Sequence, residues 1–471
     1  MTLRHKEYIK SNFETGDTPN QTQFSDWIDT MVAEGQSGVA ESVNVGSSAL
    51  ASGSYGSFAQ GVNCSALGSY GSFSQGLGAT SLGGEGVFAQ GFQVTSSGTT
   101  GVFGQGSTIT ASGTDGCFAQ GNKATASGDI GSFAQGSLAT ARKRDGCFAQ
   151  GRNVTSGSSV PPAGGNGVLA QGQNVEATGY QGTFAQGYNV TSSAPWGSFA
   201  QGRSATASGE HGLFAQGRTI IASGAGGVFA QGTTVSATGS MGVFAQGGRT
   251  TASGSYGCFA QGYNVTNSGS DGSFAQGDHV MASGNKGCFA QGSGFNIPGY
   301  QTVASGDLGS FAQGAYATAS GSFGSFAQGI HARATGTYGV FAQGTHASAS
   351  GHDGCFAQGR HASATGNYGS FAQGSGVTAS GNHGSFAMGY NSTASGSMGS
   401  FAMGSGATAS NTCSIQFGNN VNSVAYSLRV AHSPRLCGAG VPPSPADGDM
   451  WIANGNVYVH TGGLTKNMTN I

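Results

Sequence analysis

The sequence predicts an all-β chain, a repetitive parallel β-solenoid or β-roll wound in turns of 15 residues. Three observations carry that expectation. First, a Phe-Ala-Gln-Gly element occurs 23 times between Phe58 and Phe401, allowing Leu169 for Phe, Ser74 and Gly104 for Ala, and Met388 and Met403 for Gln. Successive copies lie 15 residues apart, except for a step of 21 from Phe148 to Leu169 and one of 22 from Phe289 to Phe311. A short fixed period means that length adds coils rather than domains. Second, every repeat holds two alternating elements, such as Ser57 to Gly61 and Ala124 to Gly128, and alternation marks a strand with two unlike faces. Third, there are 89 glycines, and a typical repeat has three, as in Gly116, Gly121 and Gly128. In a helix interior each would cost roughly 1 kcal/mol relative to Ala. In a coil they make the tight turns.

The chain reads as three segments. Residues 1–45 form an anchor or cap, in which Phe24, Trp27, Ile28 and Met31 stand at helical spacing and Thr22 is placed to cap a short helix. Residues 46–425 are the shaft of repeats. The two long steps put extra residues, including Val160, Pro161 and Pro162 in one and Gly294 to Gln301 in the other, into loops that a stacked coil tolerates. Residues 426–471 are a tip module, where Asp449 to Ile452 and Asn456 to His460 flank Asn454-Gly455 as a β-hairpin would.

The faces of the two strands decide what the shaft does. Ser57, Ala59 and Gly61 share one side, and Phe58 and Gln60 the other; likewise Ala124, Ala126 and Gly128 oppose Thr125 and Ser127. If Phe and Gln pointed inward, each coil would bury an amide that must find partners. With the small residues inward, the coil is a thin roll packed Ala against Ala. One outer side is then Thr and Ser, and the other is a ladder of Phe and Gln. A stripe of 22 Phe and one Leu far exceeds what soluble monomers leave exposed. Covering it in a cyclic assembly turns the Phe strands towards a common axis. The expected axial residues include Phe58, Gln60, Phe73, Phe118, Gln120, Phe133, Phe199, Phe259, Phe311, Phe356 and Phe401. The glutamines would form amide ladders along or across that axis. At about 4.8 Å per coil, such a shaft is on the order of 110 Å long.

Composition excludes more than it assigns. Charged residues are 8% of the chain and the formal net charge is −2, which predicts neither nucleic-acid binding nor attraction to an anionic membrane. No apolar run approaches a membrane span, so no insertion is expected. The N-terminus lacks the apolar stretch of a usual signal peptide. The eight cysteines form no close pairs of the zinc or redox kind, and Cys117, Cys147, Cys258, Cys288 and Cys355 read as small buried residues in the slot before Phe. No triad, phosphate loop or dinucleotide fingerprint stands out, so no enzyme and no cofactor are expected. His331, His346 and His361 occupy one slot in successive repeats, where stacking brings them roughly 5 Å apart, in principle near enough to share a metal. Because Asn63, Lys123, Asn189 and Asn264 fill the same slot elsewhere, it reads as a solvated turn. Tyr55, Tyr70, Tyr256, Tyr338 and Tyr368 are expected at the edges of the roll, against a neighbouring chain or a glycan.

The alternations S-x-A-x-G and A-x-A-x-G, as in Ser132 to Gly136 and Ala205 to Gly209, resemble the head repeats of the YadA-like trimeric adhesins. That resemblance covers about residues 46 to 425 and implies a left-handed parallel β-roll assembled as a homotrimer. The axial positions differ, with Phe and Gln where the family usually has aliphatics. The ends differ too, since the C-terminus is too short and broken for a membrane-anchoring barrel. Its SPADGDMWIANGNVYVHTGGLTK resembles a closing module of phage fibre proteins, and FETGDTPNQTQFSDWIDTMV resembles the start of many phage structural proteins. Together these imply a fibre of a virus particle, on tail or capsid, joined to other virion proteins through its N-terminus. They imply contact with a host receptor or glycan at the C-terminal end, where Trp451, Tyr458 and His460 are the candidate tip residues. The alternatives are a bacterial trimeric adhesin and an ice- or surface-binding solenoid that uses the Thr face. Against the latter, the Thr slot holds Glu176, Ile221, Met281 and Arg333 in other repeats.

Overall fold

Alternation with a small residue at every second position leaves one solution for a strand of this kind: the small side goes where space is least. The computed structural model describes residues 42–142, 145–157, 166–295, 300–419, 421–422, 428–430, 450–453, 456–461 and 463–468. Among them the chain is all-β, with no helix, and winds as a parallel β-solenoid. It divides into two compact units, Met1–Cys288 and Phe289–Ile471. The expected helix around Trp27, and the inserted Val160 to Pro162, lie outside the described residues.

The first unit carries 15 of the repeats and the second carries eight, before two closing strands at Ile415–Phe417 and Leu428–Val430. One coil shows the pattern of both. A Phe strand, Phe118–Asn122, is followed by a one-residue left-handed turn at Lys123 and then by a short Thr strand, Thr125–Ala126. A turn through Gly131, at φ 61°, leads into the next Phe strand. Each strand pairs in parallel with its equivalent one repeat on, Phe118 opposite Phe133 and Thr125 opposite Thr140. The Thr strand is only two residues of ladder, shorter than the five-residue alternation that marks it in the sequence.

Both strands turn their small residues inward. Ala119, Ala124 and Ala126 are fully buried, Cys117 nearly so, and the same four slots are buried in coil after coil. Volumes compensate across the roll. Gly104 replaces Ala where Val94 and Ser96 close in from the interior, and a Cβ on Gly104 would press on the Ser96 hydroxyl and the Val94 side chain. The cysteines behave as small hydrophobes, as expected. Cys117, Cys258 and Cys355 are buried and each thiol donates to a backbone carbonyl, at 3.1 Å from Sγ to Gly128, 2.7 Å to Gly269 and 3.1 Å to Gly366 respectively.

The slot after the Phe strand has a property that its composition only hints at. Asn63, Lys123, Asn189, His331, His346 and His361 all have φ between 53° and 54° or 56°. This left-handed region penalises most side chains and is entered most readily by Gly, Asn, Asp and His. The histidines are there because the backbone turns there.

A second constraint is the close approach of coil to coil at the end of each Phe strand. At Gly344, φ is 127° and an added Cβ would run into the carbonyl oxygen of Gly359 in the next coil. Gly339 has φ 57° but open space around it. Gly344→Ala is therefore expected to destabilise its coils by about 3 kcal/mol, combining a conformational penalty with a clash. Gly339→Ala should cost only about 1 kcal/mol, and hydrogen exchange of the flanking amides separates the two.

Burial also sets an alkaline limit. Desolvation raises the thiols of Cys117, Cys258 and Cys355 above their ordinary value of 9.0. The fold thus favours the neutral thiol, and the unfolded chain loses its protons first. Stability is fully present below pH 9.0 and falls as the pH rises above it. Melting measured between pH 7 and about 10.5 should show that fall, and a chain with Ser at all three positions should lose much of it.

Candidate functional site

The side of the coil that the Ala interior does not use is lined by Phe and Gln. In the first unit Phe58 stacks on Phe73 with ring centroids 5.1 Å apart, and Phe73 on Phe88 at 4.7 Å. The stack continues through Phe103, Phe118 and Phe133 to Phe148, breaks at Leu169, and resumes from Phe184 through Phe199 and Phe259 to Phe274. In the second unit it runs from Phe289 to Phe311, across the long repeat, at 4.7 Å, and on through Phe356 to Phe401. From Phe73 to Phe401, the stacked phenylalanine pairs of each unit lie within 5° of parallel. The coil repeat holds the rings near the short end of the favourable stacking range. Every one of these phenylalanines is half-buried by its neighbours and open on its outer edge.

Beside each Phe the glutamines hydrogen-bond along the coil. Nε2 of Gln75 donates to Oε1 of Gln60 at 2.7 Å, and Gln120 donates to Gln105 at 2.7 Å. In the second unit Gln313 donates to Gln291 at 2.9 Å, Gln328 to Gln313 at 2.8 Å and Gln343 to Gln328 at 2.7 Å. The sequence left the direction open. The structure runs these bonds along the chain, one amide to the next. An amide has two donors and two lone pairs. The ladder takes one of each from an interior member such as Gln120, which leaves it a donor and an acceptor for whatever covers the face. Met388 and Met403 end the ladder at the last coils.

The other sequence-predicted positions fall elsewhere. Thr125 and its equivalents form the opposite face, which Glu176, Ile221 and Arg333 interrupt with exposed side chains. Tyr55 stacks on Tyr70 at 4.9 Å along one edge, and Tyr338 stacks on Phe323 at 4.7 Å on the equivalent edge. His331, His346 and His361 line the other edge with rings 4.8 and 4.9 Å apart and tilted by 39° and 41°. Tyr316, in the same slot one repeat earlier, continues that stack at 4.5 Å from His331. Among the described residues, no group of three His, Cys, Asp or Glu is arranged to hold a metal ion. At the C-terminal end Met450–Ala453 pairs antiparallel with Asn456–Thr461, with Trp451 opposite Tyr458. His460 lies opposite Thr465 of a third strand, Leu464–Asn467, so the expected hairpin is two-thirds of a three-stranded sheet.

The class is thus a parallel β-solenoid with an aromatic and amide ladder on one outer face. No family model, no curated protein and no solved structure matches the chain.

Gln343 accepts from Gln358 at 2.8 Å as well as donating to Gln328. Removing it as Gln343→Ala is expected to loosen the adjoining coils by about 1–2 kcal/mol, two part-buried bonds' worth. Hydrogen exchange localised to residues 326–373 is the measurement, and unchanged protection there would show that the amide ladder contributes nothing.

Proposed function

We propose that this chain is a structural and attachment fibre whose shaft is made by identical copies packed through their Phe and Gln faces. Three copies turn Phe58 to Phe401 towards a common axis and leave the Thr and Ser face outside. The observation that supports this is the open outer half of the Phe ladder. The eight repeats of the second unit alone carry it for roughly 38 Å at one coil per 4.8 Å. Completing the burial contributes on the order of 1 kcal/mol per ring, ample in sum against the cost of association. The residual amide donor and acceptor on glutamines such as Gln120 and Gln343 fit a face that meets another amide-bearing surface rather than a purely apolar one.

Placement on a virus particle, with the N-terminal segment held by other virion proteins and the C-terminal end towards a host receptor or glycan, rests on the resemblance of the two ends. Attachment would then use the three-stranded sheet carrying Trp451, Tyr458 and His460.

The test is the native mass of the whole chain in solution, measured by light scattering. Three times the 46.5 kDa of one chain is expected, with elongated particles in electron micrographs. Phe326→Ser, Phe341→Ser and Phe356→Ser together should shift the mass towards that of one chain while the β-sheet content is kept. A wild-type chain that is a single copy at micromolar concentration would sink the proposal.

A further inference from the structure

Each coil turns twice, once at each edge of the roll, and the two edges differ in charge. In the first unit the edge that follows the Phe strand carries Lys123, Arg152, Arg203, Arg218 and Arg249, all exposed, against a single acid, Asp278. Among the described residues, the edge that precedes the Phe strand carries Glu85, Asp115, Asp129, Asp145, Glu210 and Asp271, against Arg142 and Lys286, while Lys143 and Arg144 lie outside the described residues. About five residues of strand separate the edges, roughly 16 Å, so these charges lie beyond each other's reach within one coil. We infer that the basic edge of one copy docks against the acidic edge of the next, which makes the copies parallel and in register around the axis.

Symmetry and register both favour this occupant. Rotating a copy about an axis parallel to the coil sets its basic edge beside a neighbour's acidic edge at the same height, a heterologous contact that closes into a ring. A two-fold rotation across the coil, which would give an antiparallel sandwich of Phe faces, sets basic edge on basic edge. The charges then match at several levels. Lys123 lies between the levels of Asp115 and Asp129. Arg203 and Arg218, in adjacent coils, flank the level of Glu210. Asp278, the one acid among the bases and hydrogen-bonded to His279 at 2.6 Å, follows Phe274 and lies between the levels of Asp271 and Lys286 on the opposite edge. Arg249, between levels held by Met241 and Tyr256, and Arg152, beside a turn that carries Arg142 as well as Asp145, are exceptions. In the second unit Arg360 and Asp353 repeat the relation on either side of Phe356.

This inference rests on the reading of the Phe face as the surface between copies, and adds which edges meet. The experiment uses the full chain, with native mass followed over a dilution series at low salt. R203E with R218E is expected to raise the concentration of half-assembly about tenfold or more, and adding E210R to restore most of it. Independently, K123E should weaken assembly, and adding D115K with D129K should recover it. Because these side chains are exposed turn residues, melting of the coil should not move, and recovery by a second charge change cannot come from a misfolded chain. If the reversals leave the oligomer as it is, or if neither second change restores it, the edges do not meet, while the Phe-face reading stands. If the wild-type chain is a single copy, both readings fall.

Discussion

Parallel pairing of each residue with its equivalent one repeat on is the constraint from which the rest follows. Such a ladder stacks like on like, Phe58 on Phe73 and Gln60 on Gln75, at the spacing of neighbouring strands. What a slot holds is therefore multiplied along the unit. Phe and Gln gain from the multiplication, because rings stack and an amide is both donor and acceptor. A charged residue loses by it, since its neighbours in the ladder carry the same charge. That is a physical reason for a chain with only 8% charged residues, in which Arg203 and Arg218 are a rare adjacent pair of like charges.

The same constraint governs the interior. With only four small residues per coil facing inward, an Ala core buries few methylenes and supplies about 0.8 kcal/mol for each. Much of the cohesion must come from the backbone ladders and from the outer stacks. A thin core also leaves no slack. The close approach of Gly344 to Gly359, and the exchange of Ala for Gly104 against Ser96 and Val94, are the places where that shows.

Repetition is also what made the fold legible in the sequence. The period, the two alternations and the choice of inner face could each be read many times over, and the burial of Ala119 against the openness of Phe118 agrees with that reading. What was not legible is what a period cannot encode. The left-handed turn at Asn63 and His331 is a backbone state, and its signal, a slot rich in Asn and His, looked like mere solvation. The partner of each Gln depended on a side-chain direction that alternation leaves open. Non-repeating parts gave least. A hairpin around Trp451 and Tyr458 could be read from its turn, but the third strand at Leu464–Asn467 follows no such signal.

A ladder that rewards one more identical coil needs something to stop it, for an unpaired parallel edge is a template for further strands. The last coils supply it by breaking the rule of small apolar interiors. Phe401 pairs with Ile415 and Ile415 with Leu428, steps of 14 and 13 residues rather than 15. Opposite Ala402 the interior slot holds Gln416, fully buried, whose Nε2 donates to the carbonyl of Phe417 at 2.8 Å while Oε1 is left without a hydrogen bond. Asn422 takes the slot of Ala409 and donates to the carbonyl of Ile415 at 2.9 Å. An alanine can follow such an amide, as Ala282 follows Asn267, so what a further ordinary coil meets here is the shortened register together with the Oε1 of Gln416. The aromatic stack turns away as well, since Phe417 meets Phe401 at 52° instead of face to face. The polar plug, the lost residues and the tilted ring all act on the same two coils. The sequence thus sets the length of the shaft by where it stops repeating.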